Sequence, residues 1–257
     1  MNMLSHSWFI TLRHLQSVSR MPFVIFMNLI QPIIWLLLFS SLFSNIVHIP
    51  GFGTDAYLTF LAPGIVVMST LMAGSYAGMG VIGDHSRGVL DRFLVSPVKR
   101  SALIIGPLAQ NAVTMIIQAL MMILLSMILG AEFSSGIIGI SILITCGVMV
   151  GLGFGALSIA AALLVKNEQG LIAISGFATM PLMFISGLFM PLDLVPAWIH
   201  NLAHFNPVNW AGQAGQEAIT ATIDWGLVMT YMGYLAVFLI ISFLLAILAF
   251  GRYRKSI

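Results

Sequence analysis

A chain of 257 residues that is 60% hydrophobic and only 7% charged cannot cover its own core with polar surface, since soluble domains carry about 25% charged residues. Lipid must be the solvent around most of it, in keeping with a mean hydropathy of +1.05, and a soluble globular fold is excluded. The net charge of +2 says little by itself, and nothing in the chain points to a nucleic-acid partner.

In chain order, residues 3–20 come first. Leu4, Trp8, Leu12 and Leu15 recur at three- and four-residue spacing, while Arg13, His14, Ser17 and Arg20 lie elsewhere. That pattern predicts an amphipathic helix lying in the membrane interface. The polar residues interrupt any signal-peptide core, so no cleavable leader is expected.

Six apolar runs follow, at about 23–43, 58–82, 103–130, 137–165, 170–189 and 227–250. Each is long enough to cross a hydrocarbon layer about 30 Å thick at 1.5 Å per residue. None contains Lys, Arg, Asp or Glu in its interior. Pro32, Pro63, Pro107 and Pro181 are expected near span ends, where a kink costs least. A basic tail, 251–257, ends the chain. With the N-terminus inside and six alternating spans, the inner segments hold Arg13, Arg20, Arg87, Arg92, Lys99, Arg100, Lys166, Arg252, Arg254 and Lys255, which is every Lys and Arg in the sequence. The outer segments hold Asp55, Glu132, Asp193, Glu217 and Asp224. The positive-inside rule favours that arrangement and places both termini in the cytoplasm.

The loop 190–226 carries Pro191, Pro196 and Pro207 with Trp198, Trp210 and Trp225. Pieces such as 196–204 and 208–220 read as short helices dipping into the outer leaflet, with a solvated loop as the plainer reading. Gly147, Gly151 and Gly155 repeat every four residues, as do Gly74 and Gly78, and predict close helix packing.

Chemistry-bearing patterns are few. No G-x-x-x-x-G-K-[ST] loop occurs, so the chain has no such means of holding ATP. The GLGFG run at Gly151–Gly155 lies inside a span and lacks the strand and the later acid of a dinucleotide site. His200 and His204 have the spacing of a helical zinc pair, but Asn201 stands where a metalloprotease needs Glu. Ser175 and Ser186 precede glycines, yet no His lies deep in a span to activate either. The single cysteine, Cys146, allows no intrachain disulfide. An ion-coupled carrier would place ionisable groups inside spans, and none is found there.

The loop 84–101, DHSRGVLDRFLVSPVKRS, is the most informative stretch. Val89, Leu90, Phe93 and Leu94 form an apolar stripe, Arg87 and Asp91 can pair four residues apart, and Pro97 stops the helix. Physics alone leaves two readings open, a topogenic basic loop or a knob that docks into a cytoplasmic partner.

GVLDRFLVSPVKR resembles the cytoplasmic loop of the type-2 ATP-binding-cassette exporter permeases, and is most similar to that of the daunorubicin/doxorubicin-resistance permeases. YLTFLAPGIVVM (57–68) resembles the start of that family's second span. PLMFISGLFMPLDLVPAWIHNLAHFNPVNW (181–210) resembles its fifth span, re-entrant segment and Asn-Pro turn. The resemblance implies an all-α integral membrane fold: six transmembrane helices, an N-terminal interfacial helix at 1–22, a six-span domain over 23–250, a cytoplasmic coupling helix and outer re-entrant helices. It implies a permease that is not itself an enzyme and binds no cofactor, with ATP and Mg on a separate nucleotide-binding subunit. A second permease copy would complete the dimer, in the cell membrane of a prokaryote. The coupling helix maps to Arg87, Gly88, Val89, Leu90, Asp91, Arg92, Phe93 and Leu94, with Asp91 where many members have Glu, and Lys166 and Glu168 form a minor docking point. Spans one, two and five would line the path, giving Asn28, Gln31, Ser69, Thr70, Thr179 and Ser186 as candidate path residues. The 17 Met and 17 Phe suit bulky apolar, drug-like or lipid-like cargo. A lipid-linked glycan is the alternative cargo, and would call for a row of Trp and Tyr.

Overall fold

A computed structural model describes residues 22–48, 56–87 and 100–253. Every regular element among them is a helix. They are α1 (Pro22–Leu42), α2 (Tyr57–Ser75), α3 (Gly78–Ser86), α4 (Arg100–Ile128), α5 (Gly136–Val165), α6 (Glu168–Phe184), α7 (Ala197–Ala203), α8 (Pro207–Ala218) and α9 (Trp225–Tyr253), with short 3-10 turns at Ile46–His48 and Leu192–Leu194. The predicted interfacial helix at 3–20, the coupling residues 88–94 and the last residues of the basic tail, 254–257, lie outside the described residues.

Four stretches are long and apolar enough to cross a membrane: Tyr57–Asp84, Ile104–Ile128, Gly136–Val165 and Trp225–Gly251. They coincide with the second, third, fourth and sixth predicted spans. The described apolar part of α1, Leu29–Leu42, is shorter. So is α6, which stops at Phe184 rather than at the predicted 189. Ile185 closes it by donating its N–H to Pro181 O at 2.8 Å, and Ser186 and Gly187 leave the helical path. Pro32 falls in the middle of α1 rather than near an end.

α5 is the hub. It packs against α2, α3, α4, α6, α8 and α9, while α1 reaches only α2 and α4 among the closer pairings. Small residues make this possible. A Cβ on Gly74 would run into the backbone of Gly151, and one on Gly78 into that of Ser158. A Cβ on Gly151 would stand 2.7 Å from Thr70 O and 2.8 Å from Met115 Sδ. The glycine spacing predicted this close approach, and it lets α2 lie against α5 with every residue from Phe60 to Leu71 buried.

Two hydrophobic clusters stack along the bundle. The first joins Leu61, Ile65, Met68 and Leu71 of α2 to Met122, Leu143, Val150, Val208 and Leu235. The second joins Val81 and Ile82 of α3 to Ile104, Leu108, Ile159, Leu163, Leu171 and Phe250.

The segments predicted to lie outside gather at one end. Glu132 N–H donates to Thr59 Oγ1 at 3.2 Å, Ser134 N–H to Ile219 O at 3.0 Å, and the Tyr57 hydroxyl to Phe189 O at 2.8 Å. The Ser135 hydroxyl donates to Ala218 O. Helix starts and ends from four separate stretches thus meet, as alternating spans require. Among the described residues no buried side-chain N or O lacks a partner, the condition for polar groups in a low-dielectric interior.

Candidate functional site

The coupling run begins where α3 ends. Arg87 stands exposed in the turn after Ser86, its N–H donating to Gly83 O at 3.2 Å, with Asp84 and Ser86 exposed beside it. Gly88 to Leu94 lie outside the described residues, so only Arg87 of the eight coupling residues has a described position.

The minor docking point is a two-residue turn between α5 and α6. Lys166 holds φ at 58° and its N–H donates to Ala162 O at 3.0 Å, which ends α5. Asn167 starts α6 by accepting from Gly170 N–H at 2.6 Å, a side-chain N-cap. Lys166 and Glu168 are both exposed, and the tight turn fixes them at the end of the bundle where α3 also finishes.

The candidate path residues separate into two groups. Asn28 and Gln31 are on α1, with Gln31 exposed. Ser69, Thr70, Thr179 and Ser186 are buried inside the chain. Each donates its hydroxyl to a carbonyl three or four residues back: Ser69 to Val66 O at 2.8 Å, Thr70 to Val67 O at 2.9 Å, Thr179 to Ser175 O at 2.7 Å and Ser186 to Met183 O at 2.5 Å. Back-bonding of this kind satisfies a hydroxyl locally. Thr70 faces the Gly147 backbone.

Residues that periodicity did not single out build the junctions. The Asn206 amide donates to Leu182 O at 2.6 Å and to Ile185 O at 2.8 Å, and its oxygen accepts from Val208 N–H at 3.0 Å. One side chain thus closes α6 and caps α8. Asn209 accepts from Gly187 N–H at 2.9 Å, and Gln216 donates to Gly187 O at 2.9 Å. The Asn-Pro pair at 206–207 was the available signal, since Asn at an N-cap before Pro opens helices.

A chain of rings joins α1, the start of α2 and the segment after α6. Phe39 meets Trp35, Phe43 and Phe189 at centroid distances of 4.7, 5.6 and 5.3 Å; Phe43 meets Tyr57 at 5.6 Å, and Phe189 meets Phe184 at 5.6 Å. Alongside, α1 exposes Ile34, Leu37 and Leu38, and α6 exposes Ile172, Phe177 and Phe184.

An all-helical bundle with four described stretches long and apolar enough to cross a membrane defines a multi-pass membrane protein. The profile of the ABC-2 type transporter family matches residues 6–220, and the chain belongs to that family. It is 28% identical over 243 residues to the daunorubicin resistance ABC transporter permease protein DrrB1 of Streptomyces coeruleorubidus, covering 91% of this chain and 82% of the relative. It is 28% identical over 246 residues to the putative transport permease ycf38 of Porphyra purpurea, covering 93% and 83%. It is 22% identical over 262 aligned positions to the inner membrane transport permease YadH of Escherichia coli K12, covering 98% and 100%. The chain is an ABC-type transport permease.

Proposed function

We propose that this permease exports apolar or amphiphilic compounds, drug-like or lipid-like, and that it works as a dimer driven by a separate ATP-hydrolysing subunit. The observation that carries the reading is the family match over residues 6–220, which takes in both the 87–94 run and the Lys166–Glu168 turn. ATP and Mg belong to the partner; this chain contributes Arg87 to Leu94 as the main docking knob and Lys166 and Glu168 as the lesser one. Closure of the motor subunits shifts a two-state membrane bundle. The charge distribution supports six spans with both termini in the cytoplasm, the membrane is that of a prokaryotic cell, and the apolar periodicity of the first residues supports an interfacial helix at 1–22.

Two features of the ring chain support apolar cargo over a lipid-linked glycan. Of Trp35, Phe39, Phe43, Tyr57, Phe184 and Phe189, four are Phe, and the Tyr57 hydroxyl is engaged by Phe189 O. Exposed apolar faces on α1 and α6 supply surface for a second copy and for the path between copies. The test is Leu90→Arg or Phe93→Asp in the chain co-expressed with its nucleotide-binding subunit. Both variants are expected to insert normally and to lose at least tenfold in transport-coupled ATP turnover. Normal turnover in both would overturn the docking assignment.

A further inference from the structure

A break within a membrane helix frees backbone groups that lipid cannot satisfy. The second span was expected to run unbroken over 58–82, but the chain breaks it at Tyr76–Ala77. Met79 N–H donates to Tyr76 O at 3.1 Å instead of to Ser75 O, and Ala77 N–H takes Gly74 O at 2.9 Å. Ser75 O, freed by the break, accepts from two other helices: from the Ser158 hydroxyl of α5 at 2.7 Å and from the Ser175 hydroxyl of α6 at 2.8 Å. Gly78 N–H, also freed, donates to Ser158 Oγ at 3.0 Å. All three serines are buried.

The break also marks the boundary between the two hydrophobic clusters. Residues of α2 belong to the first, and Val81 and Ile82 of α3 belong to the second, with Leu171 of α6 and Ile159 of α5. The knot lies about two turns, roughly 10 Å, from the Lys166 turn at 1.5 Å per residue, since Ser158 and Ser175 stand seven residues from Val165 and Glu168 respectively. In the sequence, residues 88–94 follow Arg87 at the end of α3. Gly78 N–H therefore ties the helix preceding the coupling run to Ser158, and Ser158 shares Ser75 O, the last carbonyl of α2, with Ser175, so the knot joins α3 to the two helices that flank the minor docking turn.

We infer that Tyr76–Ala77 is a hinge of the transport cycle, and that Ser158 and Ser175 are positioning residues that carry a displacement of α3 into α5 and α6. The inference rests on the proposed docking of an ATPase subunit on the run after α3. Besides its packing, α3 is held to Ser158 by Gly78 N–H, and Ser158 shares its acceptor with Ser175, so a displacement of α3 passes through the knot to α6.

The experiment uses the complete complex with its nucleotide-binding subunit in lipid nanodiscs. One pair of spin labels, on Gly80→Cys and Glu132→Cys, reads α3 against the far end of the bundle. A second pair, on Ile172→Cys and Glu132→Cys, reads α6. All three positions are accessible, whereas Cys146 is fully buried and stays unlabelled. Trapping with ATP and vanadate is expected to shift both distances by about 2 Å, the scale of helix displacements in switching proteins. Ser175→Ala leaves Ser75 O bonded to Ser158, so the fold survives; it is expected to keep the first shift and lose most of the second, with Ser175→Thr restoring it. A complex that hydrolyses ATP with no change in the first pair overturns the hinge. An unaltered second shift in Ser175→Ala overturns the role of Ser175. A correctly assembled unsubstituted complex that hydrolyses no ATP removes the functional reading itself, and the inference with it.

Discussion

At the scale of single residues, the fold depends on positions where a side chain would do harm. Gly74 and Gly151 bring α2 and α5 into backbone contact, and a Cβ on Gly74 meets main chain that cannot rotate aside. Gly80 has nothing within 4 Å of the same added atom. Gly74→Ala should therefore cost about 2–3 kcal/mol through overpacking. Gly80→Ala should be neutral or gain up to about 0.5–1 kcal/mol, because alanine restricts the unfolded backbone and favours helix. Thermal unfolding of the two variants in the same detergent checks the contrast, and equal melting temperatures would contradict it. The small-residue spacing made this contact legible in the sequence. The serine knot was not legible. Ser175 reads as a polar residue before a glycine, and only the register of α6 against the end of α2 gives it a partner 100 residues away. Nor did hydropathy reveal the break at Tyr76–Ala77, because Tyr76 and Ala77 are apolar enough to continue the run.

At the scale of elements, the Asn206 joint decides how α6 and α8 meet. Its amide donates to two carbonyls of the last turn of α6 while its oxygen caps α8. Asn206→Ala removes all three bonds and leaves buried acceptors unpaired. Asn206→Asp keeps the cap but sets a carboxylate oxygen against the two carbonyls and the negative end of the α6 dipole. Each should cost about 2–3 kcal/mol, the sum of a lost cap and of unsatisfied carbonyls. Asn201→Ala, on an exposed face of α7, should stay within about 0.5 kcal/mol. If Asn206→Asp melts with the parent protein, the donor bonds are not structural. Here sequence reasoning reached the Asn-Pro turn but not its consequence. The expected fifth span continued to 189 because Ile185, Leu188 and Phe189 are apolar, while the chain ends the helix at Phe184 so that Gly187 can meet Asn209 and Gln216.

At the scale of the whole molecule, the claim to test is the alternation of spans. The distribution of Lys and Arg assigns Lys166 to the cytoplasm and Glu132 to the outside, and the two sit at opposite ends of α5, separated by about 45 Å of helix at 1.5 Å per residue. Opposite ends of one apolar helix of 30 residues must face opposite sides of a bilayer about 30 Å thick. Other described segments are tied to one end or the other: Thr59, Ala218 and Ile219 bond to the 132–135 turn, and Leu171 and Phe250 pack beside Leu163. The orientation of α5 therefore sets that of the bundle. Because Cys146 is buried, single cysteines at Glu132 and Lys166, both exposed, can be labelled selectively in intact cells with a membrane-impermeant maleimide. Glu132→Cys should react in intact cells, and Lys166→Cys only after the membrane is opened. The reverse pattern would invert the molecule and place Arg87 and the coupling run out of reach of any ATP-hydrolysing partner. Reaction of both from outside would mean that α5 does not cross the membrane, and the six-span topology would fall with it.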